Sequence, residues 1–456
     1  MPMLVAGVDS STQSTKVVLC RAEDGVIVAS ASAPHPDGTE CDPRHWWDAL
    51  GQARELLERA DAVGVAAQQH GMVALDDGGA VVRPALLWND TRSAPQALSL
   101  REEFGGPRAW AERVGLVPVA SFTVTKLRWM AENEPENARR TAAVLLPHDW
   151  LTWMLGAAEY VTDRGDASGT GYWSPAGYLP DLVRGALGHE PQLPRVAAPG
   201  EAVGETEWGA LLAPGTGDNM GAALGLGLRD GDVVVSIGTS GTAFAVAEKP
   251  AADPGGFVAG FADATGRYLP LVCTLNAARV LSSAAELIGT DLDGLSAAAL
   301  AAEPGAGGLT MLPYLDGERT PDRPDATGVL TGLTTANATR ENLARAAVEA
   351  LLCSLADAVD HLAAQGVRPR RTLLIGGGAR SEAVRTLAPA IFGTPVIVPE
   401  PAEYVALGAA RQAAWVLAGT AEPPDWPEAP STHHTADPSD ASDVRVRYAA
   451  LRDTPI

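Results

Sequence analysis

A chain of 456 residues exceeds the ~250–300 residues at which single cores stop growing, so two or more domains are expected. A net charge of −22 with a pI near 4.7 argues against a nucleic-acid backbone or an anionic membrane as partner, and any anionic ligand must be held by local backbone donors or a metal. No apolar run approaches the ~18 residues of a membrane span, the start carries no basic leader, and four scattered cysteines (Cys20, Cys41, Cys273, Cys353) fit no metal spacing and suit a reduced cytoplasm.

Residues 4–9, 16–21 and 26–33 are β-rich with turn residues between them and predict a three-stranded meander. A helix is expected over 43–59, with Pro43 in its first turn behind Asp42 as cap, then a strand over 62–68. Further on, Ala213-Pro214-Gly215-Thr216-Gly217-Asp218-Asn219-Met220 is a Gly-rich turn that ends in an acid where a helix begins. Gly215 and Gly217 would let the backbone pass close to a ligand. Asp218 reads either as a helix cap or as a catalytic base, and this segment alone leaves both open.

A second meander opens at 232–237 and 242–247, around Gly238-Thr239-Ser240-Gly241, and continues over 257–262 and 268–273. Helices follow over 277–288, 340–365 and 381–392, with a strand at 372–375. Residues 420–443 are rich in Pro, Ser, Thr, Ala and acids, and predict extended surface chain before a last short helix. The two halves open alike, with a strand, a small-hydroxyl turn and a returning strand, which predicts related domains over 1–222 and 223–456 with a polar tail from about 420. Gly221, Gly225 and Gly227 cluster at the boundary, where they suit either a hinge or close helix packing.

Three segments carry candidate chemistry. The turns after residues 9 and 237 present N–H groups and hydroxyls to one point, as an anion cradle does, although such turns singly are mostly ordinary hairpins. Leu374-Ile375-Gly376-Gly377-Gly378-Ala379 is a strand followed by three glycines, over which a flat group can lie. It is neither a dinucleotide fingerprint nor a P-loop. Asp9 ends the first strand beside the first cradle, as an Asx turn or as a carboxylate facing phosphate through Mg²⁺. His70 alone reads as a structural histidine and Trp88 as core. His148-Asp149 and residues 163–166 fall in a candidate pocket region and read first as loop and cap positions.

Residues 9–16, 236–242 and 374–379 resemble the phosphate and adenosine segments of the actin/hexokinase/Hsp70 ATPase fold. Within that fold the chain resembles the FGGY carbohydrate kinases. Ser121-Phe122-Thr123-Val124-Thr125-Lys126-Leu127-Arg128-Trp129-Met130-Ala131-Glu132-Asn133 fits the first family signature. Gly328-Val329-Leu330-Thr331-Gly332-Leu333, followed by Asn342-Leu343-Ala344-Arg345-Ala346-Ala347-Val348-Glu349, fits the second. Gln68-Gln69-His70-Gly71, Leu87-Trp88-Asn89-Asp90-Thr91-Arg92 and residues 313–321 resemble the members that phosphorylate D-xylulose. The resemblance runs from about 4 to 418, with Ser10 where many relatives have Gly and a short passage over 205–217.

The resemblance implies an α/β protein with two ribonuclease H-like domains and a cleft between them that closes on ligands. Sugar is expected on the first domain at Gln69, His70, Trp88, Asp218 and Asn219, with Asp218 as general base. Asp9 is expected to hold Mg²⁺, directly or through water. Ser11, Thr12, Lys16, Gly238, Thr239 and Ser240 are expected along the ATP phosphates, and Gly376, Gly377, Gly378 and Ala379 at the adenosine. The expected reaction is ATP-dependent conversion of D-xylulose to D-xylulose 5-phosphate, in the cytoplasm, with sugar and ATP as partners, no nucleic acid or membrane, and a homodimer left open. The alternatives are a family kinase for another ketose, a polyol or glycerol, and a nucleotide-switched interaction protein on the same ATPase fold.

Overall fold

Val recurs through the main strands of both halves, with Ala and Gly among them in the first. A computed structural model describes residues 2–436 and 443–454; part of the expected tail, 437–442, lies outside the described residues. The chain forms two compact units. The first takes the residues up to Leu228 and adds Ala247–Leu269 and Ala402–Glu428. The second takes Arg229–Val246, Pro270–Pro401 and the residues from Ala429. Each unit therefore draws on separated runs of chain.

In the first unit the expected meander forms as Leu4–Ser10, Ser14–Arg21 and Ile27–Pro34, paired antiparallel in that order. Ala62–Ala67 runs parallel to Leu4–Ser10 on its other side. The short strands Leu211–Leu212 and Thr216–Gly217 both pair parallel with Ala62–Ala67, and so close that edge of the sheet despite the brevity of the passage over 205–217. One face packs Val8, Val17, Leu19 and Val65 with Trp46, Leu50 and Trp150. The other face packs Val5, Val18, Cys20 and Ala62 with Ala406, Ala410, Ala413 and Ala414 of the helix Tyr404–Ala418. That helix rests on the strand because Gly7 has no side chain; a Cβ there would lie 1.9 Å from Ala406 O.

The helix expected over 43–59 divides into Pro43–Gly51 and Arg54–Leu57. Its start is as expected, with the Asp42 carboxylate accepting from Arg44 N and Pro43 in the first turn. The interruption follows Gly51, a weak helix former. Gly221 and Gly225, on the helix Asp218–Leu226, take the packing role their clustering allows. A Cβ on Gly225 would stand 2.0 Å from Tyr404 O, and one on Gly408 would stand 1.8 Å from Gly221 O. Gly227 ends the helix in the left-handed conformation.

The second unit repeats the opening. Asp232–Ile237 turns back into Gly241–Ala245, whose next antiparallel partner is Tyr268–Thr274 through residues 271–274. Arg371–Ile375 runs parallel to Asp232–Ile237, as Ala62–Ala67 does beside Leu4–Ser10. Val396–Pro399 follows in parallel. Within the tail, the expected extended surface chain at 431–434 is paired as an edge strand, Ser431–His434, antiparallel to Val396–Pro399. The exposed edge of the neighbouring strand supplies the backbone partners. The long helix is Arg340–Ala364, capped by the Thr339 side chain on Asn342 N, and the last short helix is Val444–Arg452.

Candidate active site

In the first unit two carboxylates, Asp9 and Asp218, have pKa values well above the usual carboxylate range. Asp9 lies near the end of Leu4–Ser10, 4 % exposed, and accepts a hydrogen bond from Ser11 Oγ. Burial raises its pKa to about 6, against the lowering effects of the Ser11 bond and Lys16. Lys16 pairs with Asp9 across the hairpin, and its Nζ contacts Glu403 at 2.7 Å. Thr12 Oγ1 accepts from Trp88 Nε1 at 2.8 Å, so the tryptophan expected at the sugar is anchored to the turn expected at the phosphates.

Asp218 is the first residue of its helix. Gly217 occupies the cap position and no side chain caps there, so the cap reading of Asp218 falls. The Asp218 carboxylate instead accepts from Asn219 N and Asn219 Nδ2, both at 2.8 Å. Burial, then the negative charge of Asp9, pushes its pKa up to about 7. A partly exposed carboxylate poised near neutrality is suited to take a proton.

Gln69 and His70 follow the buried strand Ala62–Ala67. Gln69 Oε1 accepts from Asn219 Nδ2 at 3.5 Å, while Gln69 Nε2 is buried with no hydrogen-bond partner among the described residues. His70 has φ of 67°, an uncommon conformation for a non-glycine residue. Its Nδ1 donates to Gly169 O at 2.9 Å, and its ring meets Phe122 edge-on at 4.9 Å. Gln69, Asn219 and Asp218 are thus joined by hydrogen bonds; Trp88 is joined to Thr12 instead.

Two expectations need correction. Gly215 and Gly217 do not open toward a ligand. A Cβ on Gly215 would lie 2.4 Å from His148 Cδ2, and one on Gly217 would lie 2.6 Å from Gln69 Cγ and 2.7 Å from Asp166 Oδ1. Their missing side chains make room for protein. His148, Asp149 and Asp166, read as loop and cap positions, are 0–1 % exposed and form a charged cluster. His148 Nδ1 meets Asp166 Oδ2 at 2.5 Å and Nε2 lies 3.1 Å from Asp149 Oδ1. The cap reading holds for two of these positions: Asp163 accepts from Asp166 N and Gly165 N, and Asp149 accepts from Leu146 N at 2.8 Å at the start of Pro147–Leu155. Nothing in the local pattern signals the cluster, because its members meet across 18 residues of chain.

In the second unit the turn between Asp232–Ile237 and Gly241–Ala245 is tied to the following helix: Ala278 N donates to Gly238 O at 2.8 Å and Ala277 N to Thr239 O at 3.2 Å. Thr239 is exposed, and Gly238 and Ser240 partly so. Gly376 and Gly378 press on Ile237, where Cβ atoms would lie 2.7 Å from its carbonyl oxygen and 2.2 Å from its Cγ2. Gly377 has open space about it. A short 3₁₀ turn, Gly377–Arg380, then leads to Glu382–Phe392.

Paired strand–turn–strand units with a carboxylate near the end of the first strand are the architecture of the actin/hexokinase ATPase fold. Family models agree: residues 4–225 match the N-terminal domain and 233–417 the C-terminal domain of the FGGY family of carbohydrate kinases. The chain belongs to this family and is a carbohydrate kinase, with ATP as phosphoryl donor. It is 51 % identical over 437 residues to a xylulose kinase of Streptomyces coelicolor, covering 91 % of this chain and 88 % of that one. The crystal structure of xylulose kinase from Bifidobacterium adolescentis superposes with a TM-score of 0.92 at 47 % identity, covering 99 % of each chain. A Plasmodium falciparum glycerol kinase with ADP, 19 % identical, shares the fold with a TM-score of 0.88 over 100 % of this chain and 99 % of that one.

Proposed function

We propose that this protein transfers the γ-phosphoryl group of ATP to D-xylulose and releases D-xylulose 5-phosphate and ADP. The observation that carries the chemistry is Asp218, a carboxylate oriented by Asn219 and raised to a pKa of about 7. The full-length likeness to xylulose kinases supports the choice of sugar. Asp218 takes the proton of the C5 hydroxyl as its oxygen bonds to the γ-phosphorus and the bond to the ADP oxygen breaks. Gln69, His70 and Asn219 hold the sugar on the first unit. Gly238, Thr239 and Ser240 hold the ATP phosphates, Gly376 to Ala379 the adenosine.

Magnesium fits the residues present. Asp9 and Ser11 offer only hard oxygen donors, and a buried carboxylate near Asp218 gains from a cation. Asp9 would hold the ion, whose chemistry there is neutralisation of phosphate charge. Lys16 and Ser11 keep Asp9 in place, and Trp88 keeps Thr12 in place, so the first turn is set before ligand arrives.

Two expected outcomes follow from this reading. Asp218 acts only when ionised, so kcat/KM for D-xylulose is expected to fall about tenfold per pH unit below its free-protein pKa of about 7 and to level off above it. A kcat/KM profile that stays flat between about pH 5 and pH 8 would remove Asp218 as base. Gly238 bears on the nucleotide. A Cβ there meets nothing nearer than Ser240 O at 3.4 Å, so the Cβ of Gly238→Val makes no clash with the protein. The variant's Kd for ATP is expected to rise about tenfold or more, because the close backbone approach to phosphate is blocked, with xylulose affinity unchanged in calorimetry. Equal losses for both ligands would make the turn structural.

The reaction is tested by ADP release in a coupled assay with D-xylulose, L-ribulose, glycerol and gluconate. D-xylulose is expected to give the highest kcat/KM. Sugar-independent ADP release would favour a nucleotide-switched protein instead.

A further inference from the structure

The glycines before Asp218 face protein rather than ligand, and the groups they face form a clamp. Gln412, on the helix Tyr404–Ala418 and 0 % exposed, holds both backbone groups of Gly215. Gly215 N donates to Gln412 Oε1, and Gln412 Nε2 donates to Gly215 O, each at 3.0 Å. One residue on, Thr216 Oγ1 donates to Asp163 Oδ2 at 2.8 Å. Asp163 is itself fixed by Gly165 N and Asp166 N at 2.9 and 2.8 Å. Beneath, His148 fills the space under Gly215 and Asp166 the space under Gly217.

In this layer one imidazole, His148, faces three buried carboxylates, Asp149, Asp163 and Asp166. Burial opposes a proton on His148, but Asp149 and Asp166 outweigh it and hold the ring protonated up to about 10. His148, Asp149 and Asp166 do bring three ligand-type atoms within 4.8 Å of one another. His148 Nδ1 is already bonded to Asp166, however, and the imidazolium supplies the positive charge. The layer reads as a buried support tied by the His148–Asp166 and Thr216–Asp163 hydrogen bonds and by the two backbone bonds to Asp163.

We propose that Gln412 and Asp163 are positioning residues for Asp218: by gripping Gly215 and Thr216 from two sides, they fix the direction from which the Asp218 carboxylate reaches the sugar hydroxyl. Neither touches substrate. The proposal rests on Asp218 being the base. The clamp matters because the passage over 205–217 is short. Thr216–Gly217 contributes only two residues to the sheet before the helix begins, so ladder bonds alone give the turn little support. A base displaced by about 1 Å can lose up to ~10²-fold in rate.

The test compares Thr216→Val, Thr216→Ser and Gln412→Met in the full-length protein. Valine keeps the shape and loses the hydroxyl, and Asp163 Oδ2 still accepts from Gly165 N, so the fold is expected to survive. Thr216→Val is expected to lower kcat about tenfold or more, with KM for xylulose and for ATP within about threefold of wild type. Thr216→Ser, which keeps the donor, is expected to restore kcat. Gln412→Met is expected to reproduce the fall in kcat through the other arm. A Thr216→Val enzyme with wild-type kcat and a lowered melting temperature would overturn the proposal, since the hydrogen bond would then serve stability alone. Failure of both Thr216→Val and Gln412→Met to fold would overturn it in the same way. If wild type itself shows no xylulose-dependent ADP release, the functional reading fails; if wild type is active and the variants match it, only the positioning role fails.

Discussion

Asp218→Asn is expected to lower turnover by about 10²–10⁴-fold while leaving the protein folded. The amide has the size of the carboxylate and can still accept from Asn219 N and Asn219 Nδ2, the two bonds that orient it at 2.8 Å. What it cannot do is take a proton. Because Gly217 and not Asp218 is the cap of the helix, no capping bond is lost and helix stability is expected to hold. Steady-state kcat with saturating sugar and ATP, alongside circular dichroism, reads both halves. Turnover within about threefold of wild type would leave Asp218 without a role in proton transfer.

The second large effect is on the fold. Gly408→Val is expected to destabilise the first unit by ~3 kcal/mol or more, at or beyond the top of the usual range for overpacking. The first methyl-sized atom would sit 1.8 Å from Gly221 O and 2.6 Å from Gly221 C, which are backbone atoms and cannot rotate away. The helices Asp218–Leu226 and Tyr404–Ala418 would have to separate, and they carry Asp218 and Gln412 respectively. The expected readout is a thermal midpoint lowered by about 6 °C or more, or loss of soluble protein. Gly51→Ala is the control: nothing lies within 4 Å of a Cβ there, so its midpoint is expected to match wild type or rise. A Gly408→Val midpoint equal to the control's would mean that the helices do not cross at Gly408.

Several elements were legible because local chemistry decides them. The strands at 4–10 and 232–237 are runs of β-formers bounded by Ser and Gly turns, and Asp42-Pro43 marks a helix start by capping alone. Asp9 and Asp218 stood out because each is an acid where a small-residue turn meets a regular element. The rest depends on distant chain. The partner of Lys16 is one such case: its Nζ lies 2.7 Å from Glu403, a residue 387 positions away. Gly215 and Gly217 have the pattern of a ligand-facing turn, and only the arrival of His148 and Asp166 shows what their missing side chains are for. Gln412 sits in an Ala-rich helix where nothing sets it apart until Gly215 is seen between its amide oxygen and nitrogen. Ser431–His434 has no apolar alternation, and it is a strand because Val396–Pro399 offers it an edge.

The most direct measurement of the central claim is the product itself. Wild-type protein incubated with ATP, Mg²⁺ and D-xylulose is followed by phosphorus NMR and mass spectrometry. One phosphomonoester, on C5 of xylulose, is expected to form in step with ADP and to depend on both substrates. Inorganic phosphate formed in place of a sugar ester, or an ester formed faster on glycerol, L-ribulose or gluconate than on D-xylulose, would contradict it.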